Sequence, residues 1–146
     1  PDIWGSAFAV WLRVANPRQA QAIAEYFQEH YSAIVQHGQI RQLPGGVYWD
    51  DACAKDTYQN GGYWATGTGW FVYTLNLVDP KLADQTVVDL VNDFQKRGVD
   101  EWVFGSHIGV RRYMASITMP LAGVQRMLAH RAASRSPARE GGDQGK

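Results

Sequence analysis

Residues 63–78, YWATGTGWFVYTLNLV, are apolar almost all round, and Asp79-Pro80 follows at once. A helix without a wet face belongs in an interior. Asp before Pro supplies an N-cap and a proline at the first helical position, so a new helix starts there. That second helix carries Ala83, Val87, Leu90, Val91 and Phe94 on one stripe and ends at Gly98. The stretch therefore predicts a buried helix followed by a helix with a single apolar face.

The same design stands 63 residues earlier, from Pro17 to Pro80. Residues 3–15, IWGSAFAVWLRVA, are again apolar nearly all round, and Asn16-Pro17 is again an N-cap with proline behind it. The next helix is predicted to run to about His37 and to stop at Gly38, with Ala20, Ile23, Ala24, Phe27, Tyr31 and Ile34 on its apolar face. A fifth helix, residues 113–130, places Ile117, Leu121, Val124 and Leu128 on one side, with a kink expected at Pro120.

Buried helices alternating with one-faced ones, with an internal repeat, are what an inner ring of helices inside an outer ring produces. An ordinary four-helix bundle would make every helix one-faced. The expected fold class is all-α: alternating inner and outer hairpins of a partial (α/α)6 toroid, spanning residues 1–131. Five helices are under half of such a ring. Residues 132–146 are small, polar and charged, and are expected to be disordered.

Composition narrows the function. Fourteen basic and fourteen acidic residues balance, which leaves no polybasic surface for nucleic acid or anionic lipid. No apolar run approaches the ~18 residues a membrane span needs. Cys53 is the only cysteine, so no internal disulfide is possible, and a cytoplasmic location is expected. The chain opens Pro1-Asp2-Ile3-Trp4, without a basic signal region or initiator Met, as if cut from something longer. No His, Cys and carboxylate spacing resembles a metal site, so no metal or cofactor is expected.

Between the helices lie two long loops, residues 38–62 and 99–112, the first with short strands expected at 39–41 and 47–49. Each follows a one-faced helix and precedes a buried one, so both should emerge at the same end of the ring, beside Asp2 and Trp4. That topology gathers Asp2, Trp4, Arg41, Trp49, Asp50, Asp51, Tyr58, Asn60, Trp64, Glu101, Trp102 and His107. Carboxylates for acid–base work, aromatic rings for pyranose stacking, and amide and guanidinium groups for hydroxyls suit carbohydrate chemistry. Taken singly, a loop aspartate is most often a turn or cap residue. Trp11 and Trp70 read as core, and His30 and His37 as solvated helix surface.

Tyr58-Gln59-Asn60-Gly61-Gly62-Tyr63-Trp64 resembles the Tyr-His/Gln-Asn-Gly-Gly-x-Trp signature of six-hairpin glycosidases, particularly alkaline/neutral invertases and relatives of the glycogen-debranching group. The opening helix, the Pro-Arg-Gln-Ala start of the next, the Asp-Pro-x-Leu-Ala turn and a Glu-aromatic pair have counterparts in the same order, over about residues 1–130. The resemblance implies a C-terminal portion of such an enzyme, inverting a glycosidic bond, with Glu101 of the Glu101-Trp102 pair as general base. Asp2, Trp4, Arg41, Tyr58, Gln59, Asn60, Trp64 and Trp102 would line the sugar site. Asp2, Asp50 and Asp51 do not match the family's acid position. Val103-Phe104-Gly105-Ser106 lacks the acidic residue that follows the aromatic pair in invertases, so sucrose is not implied.

Two rival readings remain open: a non-catalytic unit that is inert or only binds carbohydrate, and a toroid sugar epimerase. The latter would work with histidines, and only His107 lies in a candidate loop. The partners expected are a carbohydrate and either the remaining hairpins of a parent protein or further copies of the chain.

Overall fold

A computed structural model describes residues 1–135. Six helices, α1 (Ile3–Trp11), α2 (Pro17–Glu29), α3 (Tyr31–Ile34), α4 (Thr68–Leu75), α5 (Pro80–Arg97) and α6 (Ala115–Arg135), carry most of the ordered backbone. Two hairpins accompany them: β1 (Val35–Gln36) with β2 (Gln39–Ile40), and β3 (Val103–Phe104) with β4 (His107–Ile108). No described helix is long and apolar enough to cross a membrane.

The caps form as the sequence demands. The Asn16 side chain accepts from the Gln19 N–H at 3.0 Å while Gln19 accepts from the Asn16 N–H at 2.9 Å, a reciprocal capping box. Asp79 accepts from the Leu82 N–H at 3.0 Å and from Gln28 at 3.1 Å. The Leu82 amide, seconded by Gln28, holds its carboxyl below the usual carboxylate range.

α4 is the centre of the molecule. Phe71, Val72, Tyr73, Thr74 and Leu75 are all buried, so a helix with no wet face sits where such a helix must. α1 and α6 both pack extensively on α4, and the one-faced helices α2 and α5 pack on it as well. Phe27 of α2 stacks on Phe71 of α4 at 4.8 Å between centroids.

Where α6 crosses α4, Gly69 meets Gly123. A Cβ on Gly69 would lie 2.6 Å from the Met119 carbonyl oxygen and 2.9 Å from the Pro120 Cα; one on Gly123 would press into the backbone of Gly69. The helices touch main chain to main chain because neither crossing position has a side chain. Gly123→Ala is thus expected to lower stability by about 2–3 kcal/mol, the ordinary range for overpacking, despite its better helix propensity. Urea denaturation checks this; a neutral or stabilising alanine would mean that the helices do not cross there.

Several boundaries differ from the sequence expectation. The helix from Pro17 does not reach His37: it ends at Glu29, and after α3 the chain turns into β1 and β2. His37 (φ 53°) and Gly38 (φ 74°) form the two-residue hairpin turn, with both residues left-handed. Gly38 is a hairpin glycine rather than a helix stop. Residues 63–66 are not helical either. Tyr63 pairs with Val103 and Trp64 with Ile40 in isolated antiparallel bridges, so these two residues link the two hairpins. The strand expected at 47–49 does not form.

Other corrections concern faces. Val91 is exposed, and the buried face of α5 is Ala83, Thr86, Leu90 and Asp93. The buried face of α6 is Ser116, Pro120, Gly123 and Met127, not the row Ile117, Leu121 and Leu128, which is exposed. Pro120 lies inside one continuous helix. Residues 132–135, expected to belong to a disordered tail, complete α6; the rest of that tail lies outside the described residues.

Candidate functional site

Both long loops and the start of α1 meet in the structure. The Ile3 N–H donates to the Gln42 carbonyl at 2.8 Å, fixing the beginning of α1 on the first loop. The indole of Trp4 meets that of Trp64 edge to face at 5.5 Å. Tyr58 lies 5.0 Å from Trp64 on another edge, and Tyr113 lies 6.4 Å from it. Trp64 is 3% exposed and donates its indole N–H to the Tyr58 carbonyl at 3.1 Å. It is the hub of an aromatic cluster and offers no face to a ligand, contrary to the expectation of a stacking platform. Tyr58, 42% exposed, is the ring of this cluster that reaches solvent.

The Tyr58–Trp64 segment is knotted from within. Buried Asn60 accepts from the Trp49 N–H at 2.8 Å and donates to the carbonyls of Trp49 (3.2 Å) and Cys53 (2.7 Å). Its amide is wholly engaged with the loop's own backbone, so Asn60 shapes the site rather than contacting sugar. Gly61 takes φ 129°, and a Cβ there would meet the Asp56 Cα at 2.8 Å and the Arg41 guanidinium at 2.9 Å. Only glycine fits this turn.

Arg41 is buried as well. Its guanidinium sits 5.4 Å from the Tyr48 ring centroid and 5.6 Å from that of Tyr63, and reaches Asp56 at 3.7 Å. It clamps the loop by cation–π contact and charge, and is not presented to solvent. Tyr48 completes that clamp by donating to Asp56 at 2.7 Å.

The second loop lies directly against the first. A Cβ on Gly62 would stand 3.0 Å from Cε3 of Trp102, and one on Gly109 would fall 2.6 Å from its Nε1. The half-buried Trp102 ring is therefore sandwiched between two glycines, one from each loop. The glycine pair of the signature accommodates the aromatic partner of Glu101. Glu101 pairs its backbone with Val110, and its Oε2 accepts from the Val110 N–H at 3.3 Å. A Cβ on Gly109 would lie 2.8 Å from that oxygen, so the carboxylate rests over the Gly109 backbone.

Other expected members are not assembled there. Asp2 is the N-cap of α1, accepting from the Gly5 N–H at 3.0 Å, and lines a groove of about 600 Å3 between α1 and α2 with Ala9, Ala22 and Ile23. Asp50 and Asp51 are exposed. Gln59 is half-buried in the signature turn, and His107 is exposed on β4. Among the described residues no group of three or more His, Cys, Asp or Glu could hold a metal ion. Of the bland expectations, Trp11 and Trp70 are only half-buried: Trp11 carries the Arg126 guanidinium 4.3 Å above its ring, and Trp70 meets Phe8 at 4.6 Å.

Sequence reasoning missed the two residues that frame Trp102 and Trp64 from outside the signature, Gly109 and Tyr113. Gly109 stands in the second loop and Tyr113 just after it, where spacing gave no cue. Comparison with protein families, characterised proteins and solved structures returns no match to this chain.

Proposed function

We propose that the chain is the C-terminal part of a glycoside hydrolase of the α/α-toroid type, inverting a glycosidic bond with Glu101 as general base. What supports the reading above all is the packing of Trp102 against Gly62. It joins the Glu-aromatic pair to the Tyr58–Trp64 segment where both loops meet, the neighbourhood an acid–base site would need. An inverting mechanism requires an ionised carboxylate that activates water opposite a protonated acid. Among the described residues Glu101 belongs to no ion pair, which leaves its carboxylate available for that work.

On this reading the sugar is met by Tyr58, Trp102 and Glu101. Trp4, Arg41, Asn60 and Trp64 hold those groups from behind, and Gln59 lies at the turn between them. Titrating the chain with a panel of neutral oligosaccharides, followed by tryptophan fluorescence, tests it. A saturable response is expected from at least one glycan, reduced about tenfold or more in Tyr58→Ala, which strips a stacking surface worth ~1.4 kcal/mol or more. No response across the panel, or one unchanged in Tyr58→Ala, would remove carbohydrate from this face.

A further inference from the structure

The end of α4 away from the two loops carries a second feature, independent of the glycosidase reading. α4 stops at Leu75, α5 starts at Pro80, and the last turns of α6 pass beside both. A cavity of about 500 Å3 lies where they meet, an ordinary size for a small-molecule pocket. Arg131 of α6 forms one wall. Its Nε donates to Asn76 Oδ1 at 2.5 Å, its Nη1 to Asp84 at 2.7 Å and its Nη2 to the Pro80 carbonyl at 3.0 Å.

Asn76 lines this cavity and is 8% exposed. Arginine can only donate, so the oxygen of the Asn76 amide must be the atom that meets Arg131, which leaves its NH2 group over. That NH2 makes no hydrogen bond to any described residue. A recessed donor without an acceptor is costly, and what it lacks is an oxygen in the cavity.

The charges agree. Asp84 is taken up by Arg131, while Lys81 and His130, both on the lining, belong to no ion pair among the described residues. Asp79 also attracts Lys81, but its hydrogen bonds go to the Leu82 N–H and to Gln28. With His130 neutral, Lys81 and Arg131 against Asp84 leave the lining positive.

We infer that this cavity binds the phosphoryl group of a small phosphate ester. The free donors are the Asn76 NH2, the Lys81 ammonium and a ring N–H of His130, and a phosphoryl group presents three strong acceptor oxygens to them. A bare phosphate is only a few times the size of a water molecule and leaves most of the volume empty. Leu77 and Pro80 supply an apolar wall for the carbon body of the ester.

Titration of the whole chain with a hexose phosphate, followed by heteronuclear NMR at the Asn76 side-chain amide and the Lys81 backbone amide, tests this. Saturable shifts are expected, with a dissociation constant of about 0.1–1 mM. Inorganic phosphate should bind several-fold more weakly, and the unphosphorylated hexose and acetate should leave both signals in place. Lys81→Gln, at an exposed position, should weaken binding about tenfold, the loss of one charge-assisted hydrogen bond. Lys96→Gln, at an exposed lysine elsewhere on α5, should not. Asn76→Asp keeps the oxygen that Arg131 uses and puts a carboxylate oxygen where the NH2 stood, so it should abolish binding with the far-UV spectrum unchanged. No response to the hexose phosphate at ~10 mM overturns the proposal, as does binding indifferent to Lys81→Gln or to Asn76→Asp. Equal affinity for inorganic phosphate overturns it too, by marking a site for an ion alone.

Discussion

Trp64→Ala is expected to lower the stability of the chain by about 3–5 kcal/mol, the range for removing a fully buried large aromatic. The magnitude follows from what Trp64 touches. Its ring is enclosed by Trp4, Tyr58 and Tyr113, its indole N–H holds the Tyr58 carbonyl, and its backbone exchanges two hydrogen bonds with Ile40. Alanine keeps the backbone pair and loses everything else. It leaves a cavity between α1, the first loop and the residues before α6, and a Tyr58 carbonyl with one of its two donors lost. Because that carbonyl also accepts from Gly62, the damage should spread to the turn that seats Trp102. Urea denaturation gives the measurement. Trp64→Phe, which keeps most of the volume and loses the N–H, should recover more than half of the loss. A Trp64→Ala variant as stable as the wild type, with weakened glycan binding alone, would return Trp64 to the role of a sugar platform.

The reversal at Trp64 shows which parts of the molecule were legible. The two Asx-Pro starts were readable because an N-cap is a local device: Asn16 and Asp79 need only the amides three residues on. The identity of α4 as the innermost element was readable because a helix apolar on all sides has no other place to go. The limit of α4 was not. An apolar run is equally suited to extended backbone, and Tyr63 and Trp64 left the helix once Val103 and Ile40 offered them backbone partners.

The same ambiguity governs α6. Its large apolar row and its small-residue row are both good packing faces, and hydrophobicity alone favours the large one. Gly69 on α4 selects the small one, since only Gly123 lets the backbones approach so closely. Loop topology placed the two long loops together, and the structure has Tyr58 against Trp64 and Trp102 against Gly62. Which of them faces outward depended on side-chain direction within irregular turns, and no periodicity encodes that. Asn60 and Arg41 look like ligand-binding groups in a sequence because they are polar. In the fold Asn60 serves a buried, turning backbone that needs partners, and Arg41 serves Asp56 and the rings of Tyr48 and Tyr63.

If the proposed function holds, Glu101→Gln should leave glycan binding within about threefold and reduce turnover by roughly 10^2–10^4-fold, the contribution of a positioned general base. The amide oxygen can still accept from the Val110 N–H, as the carboxylate does at 3.3 Å, so the loop and the seat of Trp102 are preserved. What the amide cannot do is take a proton from water. The change is therefore isosteric in structure and decisive in chemistry, and it separates the catalytic role from a purely architectural one. A structural glutamate would show the opposite pattern, with altered stability and unaltered rate. The product anomer, read by NMR in the first turnovers, should be inverted relative to the substrate. On the proposed reading the 146-residue chain by itself should show little hydrolysis, because Asp2, Asp50 and Asp51 do not match the family's acid position. Robust turnover by this chain would make Asp2, Asp50 or Asp51 the acid. Full activity of Glu101→Gln would remove Glu101 from the mechanism and leave the likeness to toroid glycosidases as one of architecture alone.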